Sequence, residues 1–565
     1  MKLRLFFLLL LAAAMIAGYN FILHPQNTAV TQPIPAAAAV PAGHRILLVP
    51  LDTRPPCRQF VQNAGLIADT EILSPPHEIL DYYSQPGDTH AVMEWLDTHM
   101  DDAEAVILSV DQLLYGGLLT AREADRSPEE LDAFIQALTA LAQRHPHTPI
   151  YAFSILPRIS PPDSIDGYQE RKLLMKYSRR LDALTQAGEA DNSAELADLR
   201  EKIPAASLQK YLALFAKNAH LNEKLSLLAK DGILTRLIIG QDDGEVLGIP
   251  NMEKQRLRSF LAQEGISETQ VCITHGADEI ALTLLAELRA KALGSCHPRI
   301  YLAYNDPATP ELVMPYMASS TEETAREKIQ MLQGEIVTDP ADADFILYLS
   351  CGTKDSLSGR QANVRQIQDW LAEGRRIALV DLSEHFQAQE VLLPFLLRAD
   401  VPLQSLLAYA GWNTASNSIG TALAQSILCE AQLRQSQNQA DALRTVQANL
   451  TFLNNRCLED YYYLKDVIEL VDTSLRKAGY TNVNDLDLEH NYRWTNVMLR
   501  EAMQQRIRTY KHTRSFRAPV TIDTPVGPLH IQARDLTADM SYPWPRTFEI
   551  YLHSALYLVE CSRNS

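Results

Sequence analysis

Leu237-Ile238-Ile239-Gly240-Gln241-Asp242-Asp243-Gly244 is the stretch from which the rest of the chain is read. Three apolar residues with the character of a buried strand run directly into two adjacent carboxylates bounded by glycines. In parallel α/β folds the carboxyl ends of strands carry the chemistry, because there the backbone opens to solvent and the following loops shape a pocket. The same grammar recurs along the chain. Apolar runs lead into Asp52-Thr53-Arg54-Pro55, into Asp111 and then Tyr115-Gly116-Gly117, into Leu156-Pro157-Arg158, into Asn305-Asp306 and into Gly411-Trp412-Asn413. The pattern predicts one composite polar site assembled from distant segments.

Working outward, about ten such strand segments precede residue 411 and alternate with helical ones. Ser127-Pro128-Glu129-Glu130 marks a helix start, with a capping serine and acids in the first turn. Strands separated by helices pair in parallel, since each crossover is a helix. The expected fold class is therefore α/β, as a parallel (β/α)8-type barrel with an extra pair of strands. The other arrangement is a barrel-like half over 44–295 followed by a smaller doubly wound half over 296–429. Residues 163–232 read as a long charged helical excursion, residues 430–515 as a helical region, and 516–565 as a small β-rich tail with a hairpin.

The N-terminus carries a targeting pattern. Lys2 and Arg4 precede an apolar run from Leu5 to about Ile16, so 1–23 reads as a signal peptide or signal anchor and 24–43, rich in Pro, Ala, Thr and Gln, as a flexible linker. The folded part is expected from His44 onward, outside the cytoplasm, with the membrane touched only through the N-terminal segment. In 565 residues, 46% apolar and 21% charged, there is ample material for more than one core. A net charge of −18 with no basic cluster argues against nucleic acid as a partner. The seven cysteines, at 57, 272, 296, 351, 429, 457 and 561, form no CxxC pair and show no zinc spacing. No phosphate-binding glycine loop and no Gly-x-Ser-x-Gly elbow is present, and neither a cofactor nor a metal is expected.

Asp242 and Asp243 are the expected catalytic pair. Two neighbouring acids in a pocket do not both ionise cheaply, so one is expected to hold its proton and donate it while the other stays anionic. Glycosidases that use the substrate's own acetamido group need that division: one carboxylate orients the amide nucleophile and the other protonates the leaving oxygen. Asp-Asp-Gly also suits a plain Asx turn. Expected substrate-binding residues are Asp52, Arg54, Asp111, Tyr115, Arg158, Asp278, Glu279, Asn305, Asp306, Trp412, Asn413 and Asn417. Trp412 with Asn413 and Asn417 joins an aromatic face to amide groups, the mixture that sugar sites use. Asp278 and Glu279 suit substrate hydroxyls, and equally suit the positive end of a helix.

With these segments quoted, the sequence resembles the bacterial family catalogued as domain of unknown function 4127. The likeness rests on Pro50 to Pro55, Asp111 to Gly117, Gly240 to Asp243, Gly276 to Glu279, Tyr304 to Asp306 and Ala408 to Ala415, and spans roughly residues 44 to 550. At the site alone, Asp242-Asp243 and Trp412-Asn413 are similar to the barrel N-acetylhexosaminidases of glycoside hydrolase families 84 and 20. That likeness implies a glycosidase-like hydrolase acting on a carbohydrate or glycoconjugate, and the N-terminal segment implies its export. Two alternatives stand beside it: an envelope-associated protein that holds a glycan without cleaving it, and a metal-dependent hydrolase built on His275 and the nearby acids.

Overall fold

A computed structural model describes residues 43–123, 126–190, 193–295, 297–352 and 359–561. The signal segment, its linker and Cys296 lie outside the described residues. Among the described residues no helix is long and apolar enough to cross a membrane.

Eleven strands make two open parallel sheets. The first contains β1 (His44–Val49), β2 (Thr70–Leu73), β3 (Ala105–Ser109), β4 (Ile150–Leu156), β5 (Arg236–Gln241) and β6 (Val271–His275), in the order β2-β1-β3-β4-β5-β6. The second contains β7 (Arg299–Tyr304), β8 (Glu335–Val337), β9 (Phe345–Gly352), β10 (Ile377–Ser383) and β11 (Ala408–Ala410), in the order β11-β10-β9-β7-β8. Read from its own first strand, each sheet begins second, first, third, fourth, fifth. That is the doubly wound order in which the chain reverses direction between first and third strands, and ligands bind there outside the carboxyl ends. β3, β4, β5, β9 and β10 are buried along their whole length, as strands covered by helices on both faces must be.

The single-barrel expectation is corrected. A barrel closes only if its first and last strands pair, whereas β2 and β6 are free edges of the first sheet. β6 is covered instead. The helix Thr321–Met331 lies along it, and the Glu327 carboxylate accepts the His275 backbone N–H at 2.5 Å. An edge capped by a side chain offers no ladder to another strand.

The two sheets are joined through helices that are buried on nearly every side. From Ile280 to Ala290 every residue of the helix Ile280–Ala292 is buried, and it packs on the equally buried helix Ala415–Arg434. One continuous apolar core crosses this seam. The 163–232 excursion forms three helices, Tyr168–Gln186, Ala194–Lys202 and Ala205–Lys230, with a small core of their own.

After residue 430 come the helix Gln439–Arg456, a π-helical stretch Cys457–Val467, and the helices Ile468–Lys477 and Tyr492–Tyr510. An antiparallel sheet follows, of β12 (Pro519–Ile522), β13 (Leu529–Ser541) and β14 (Tyr551–Glu560). This tail braces the loop after β1. The Trp544 indole N–H donates to Thr53 Oγ1 at 2.9 Å, and the Tyr551 hydroxyl donates to the Thr53 carbonyl at 2.7 Å.

Candidate active site

Gly240 explains how the acid pair reaches its neighbours. A Cβ there would lie 2.5 Å from the Gly276 carbonyl oxygen, so only glycine lets the end of β5 sit against the turn after β6. That approach sets Asp242 and Asp243 beside Asp278. Together with Tyr316, Asn413 and Asn417, these three acids line a narrow hollow between the two sheets. A second narrow hollow is lined by Asp111, Tyr115, Arg122, Pro157, Lys217 and Asn218. Asp242 lines both, so the acid pair stands on the wall between them.

The two adjacent acids differ in commitment. Asp242 Oδ2 accepts from the Arg122 guanidinium, with Nε at 2.9 Å, and its Oδ1 accepts the Asp243 backbone N–H at 2.9 Å. Burial works to raise its pKa, and Arg122 and Arg158 outweigh burial, leaving it below the usual carboxylate range. The Asp243 carboxyl, half-buried, has no such partner among the described residues. Burial, and next the Asp242 charge, push it up to about 6. In the second hollow Asp111 accepts the Ile155 backbone N–H at 3.0 Å, and burial raises it to about 7.

Asp52, Arg54 and Asp278 form a buried ion cluster behind the first hollow. Arg54 Nη2 lies 2.5 Å from Asp52 Oδ2 and 2.6 Å from Asp278 Oδ1. Burial lowers the Arg54 pKa, but the two carboxylates more than restore it, so the cation is permanent. Burial also raises Asp278, to about 6, against the pull of Arg54. Asp52, Cys57 and Asp278 have ligand atoms within 4.8 Å of one another, but Arg54 spans the two carboxylates and supplies the positive charge there. His275 is likewise engaged at both ring nitrogens, Nδ1 with Glu327 at 3.1 Å and Nε2 with Lys254 at 2.9 Å. It is thereby placed in a Glu–His–Lys chain beneath the hollow.

With this geometry in hand, comparison with known proteins gives one finding. The profile of a family described as "Protein of unknown function (DUF4127)" matches residues 46–553, from β1 into β14. The chain belongs to the DUF4127 family. No curated protein and no solved structure matches it.

Of the expected residues in this DUF4127 protein, Asp242, Asp243, Asp278, Asn413 and Asn417 line one hollow, and Asp111 and Tyr115 the other. Arg158, half-buried in the loop after β4, lines neither hollow. Glu279 is buried, its carboxylate held by Lys328 Nζ at 2.6 Å, Ser416 Oγ at 2.8 Å and Asn417 Nδ2 at 2.9 Å. These bonds lock the first sheet to the helices that carry Lys328 and Asn417. Trp412 is 3% exposed and packs between Phe60 and Phe548, so its face is spent on the core. The loop that carries it is clamped from behind, since Asp460 accepts the Gly411 N–H at 2.9 Å and Lys465 donates to the Gly411 carbonyl at 2.7 Å. Asn305 bonds the backbone of Cys351 at the head of the second sheet, and Asp306 caps its own turn at Ala308. Neither lines a hollow.

The DUF4127 site also contains residues that the sequence reading passed over. Arg122 comes one residue after a single-turn helix, Leu118–Ala121, with no motif to mark it. Tyr316, 56% exposed at a φ of +64°, offers an aromatic ring at the lip of the first hollow. Lys328 and Glu327, three and four residues before the helix end at Met331, look like ordinary surface helix positions. Lys328→Met is expected to lower the free energy of unfolding by about 2–3 kcal/mol, because Glu279 stays buried with only two neutral donors. A denaturant titration checks this, and an unchanged midpoint would show the pair to be dispensable.

Proposed function

We propose that this protein is an exported carbohydrate-active hydrolase, glycosidase-like, with Asp243 as the proton donor and Asp242 as its fixed anionic neighbour. The observation that carries the reading is the division of labour between two consecutive carboxylates at one strand end. Arg122 holds Asp242 charged, while burial and next the Asp242 charge raise the pKa of Asp243 to about 6. Pairs of acids pushed apart by their surroundings are the usual way a site obtains an acid and an anion together near neutral pH. Cleavage of a glycosidic bond needs both: a proton for the leaving oxygen, and negative charge beside the cationic carbon that develops as the C–O bond stretches. Asn413 and Tyr316 add an amide group and an aromatic ring suited to hydroxyls and a sugar face. In the finer form of the proposal the substrate is an N-acetylhexosaminide whose own amide attacks. Export rests on Lys2, Arg4 and the apolar run after them.

A panel of aryl glycosides tests the reading. Turnover is expected for at least one sugar, with kcat falling as pH rises through about 6, because the donor must enter the reaction protonated. Binding of glycans with no release of the aryl group would favour the glycan-binding alternative.

A further inference from the structure

The two hollows share a wall, and the difference between their linings gives a substrate a direction. Asp243 lines only the first hollow, Asp111 and Tyr115 line only the second, and Asp242 lines both. Asp111 is 3% exposed and is held through Oδ2, which accepts the Ile155 backbone N–H at 3.0 Å. Its Oδ1 and the hydroxyl of half-buried Tyr115 bond no side chain among the described residues. Arg122 also lines the second hollow, with its charge taken up by Asp242. Leu118, Leu156 and Leu214 add apolar surface. A narrow hollow with apolar walls and two uncommitted polar groups suits the hydroxyl-bearing edge of a sugar ring. A carboxyl that burial raises to about 7 meets such hydroxyls as donor or acceptor near neutral pH.

The proposed reaction says which side of the bond lies where. As the C–O bond breaks, its electron pair leaves with the oxygen, which takes the Asp243 proton, and positive charge stays on the ring carbon. The leaving oxygen therefore belongs beside Asp243, in the first hollow, and the ring carbon beside the Asp242 carboxylate on the shared wall. Tyr316 stands exposed at the lip on the leaving side. We infer that the substrate is an oligosaccharide straddling Asp242, whose scissile ring enters the second hollow against Asp111 and Tyr115 and whose leaving sugar stacks on Tyr316 in the first. The inference rests on the proposed hydrolase reading and deepens it: Asp111 and Tyr115 determine which sugar is released, and Tyr316 determines what it is released from.

Two ratios of kcat/KM test it. The first compares 4-nitrophenyl glycosides that differ at a single ring hydroxyl. The second compares, for the preferred sugar, its disaccharide with its 4-nitrophenyl glycoside. Asp111→Asn, which keeps an acceptor for the Ile155 N–H, and Tyr115→Phe are expected to change the first ratio about tenfold for at least one hydroxyl, the worth of one hydrogen bond, and to leave the second unchanged. Tyr316→Ala is expected to do the opposite, lowering the disaccharide about tenfold against the aryl glycoside at a constant first ratio. Each ratio cancels the shared chemistry of Asp242 and Asp243, so it isolates one side of the bond. Tyr115→Phe, at a half-buried position, carries the test if Asp111→Asn does not fold. Any other pattern with turnover intact, the reverse one included, would overturn the inference and leave the hydrolase reading standing. Absence of turnover for every substrate would remove both.

Discussion

Asp243→Asn is expected to lower kcat on a glycoside with a poor leaving group by about 10²- to 10⁴-fold, the usual worth of a positioned general acid, while making the fold more stable above neutral pH. The two effects have one source. Folding raises the Asp243 pKa to about 6, so the folded state binds this proton more tightly than the unfolded chain does. For such an acid the stabilising contribution is complete below the unfolded pKa and is lost as pH rises through about 6. At pH 8 the wild-type protein carries the unfavourable charge and the amide does not. A gain of about 1–2 kcal/mol is expected there, after screening by solvent at the mouth of the hollow, and no gain at pH 4. Unfolding curves for both proteins at the two pH values check the sign. A variant that is inactive and also less stable at pH 8 would mark Asp243 as a structural residue.

The second large effect concerns Arg54. Its guanidinium lies between Asp52 and Asp278 and under Trp544, 5.3 Å from the ring centre. Arg54→Met removes the only cation among the described residues in contact with either of these buried carboxylates, and a loss of about 3–5 kcal/mol is expected at pH 8. The loss should shrink at pH 5, because Asp278 without its cation takes up a proton more readily still and the repulsion disappears. Equal losses at both values would assign the effect to packing against Trp544 and not to charge. Melting curves at the two pH values distinguish the cases.

Much of this architecture was legible from residues. Apolar runs ending in Asp52, Asp111, Asp242 and Asn305 did mark strand ends, because a strand covered on both faces must be apolar throughout and must stop where polar groups begin. What the runs do not encode is strand order. A barrel and two doubly wound sheets share the same alternation of strand and helix, and the choice depends on which edges pair. The deciding contact, Glu327 on the His275 N–H, joins residues 52 positions apart. β8 escapes a sequence reading because one exposed and two half-buried residues, Glu335-Ile336-Val337, leave almost no pattern.

At the site, acids were legible and their partners were not. Asp242 and Asp243 announce themselves by adjacency, whereas Arg122 is 120 residues away from the carboxylate it holds. Trp412 was read as a sugar platform because an indole beside amides looks the same in sequence whether it faces solvent or Phe60. Glu279 and Asn417 were each read as ligand-binding groups, and they hold one another across the seam instead.

Whether Asp243 gives its proton to the leaving group is tested most directly by the dependence of rate on leaving-group basicity. For a set of aryl and alkyl glycosides of the preferred sugar, the ratio of wild-type to Asp243→Asn kcat should be near 1 for a dinitrophenyl leaving group, which needs no proton. It should rise to about 10²–10⁴ for an alkyl one. A ratio that stays the same across the series would contradict the account.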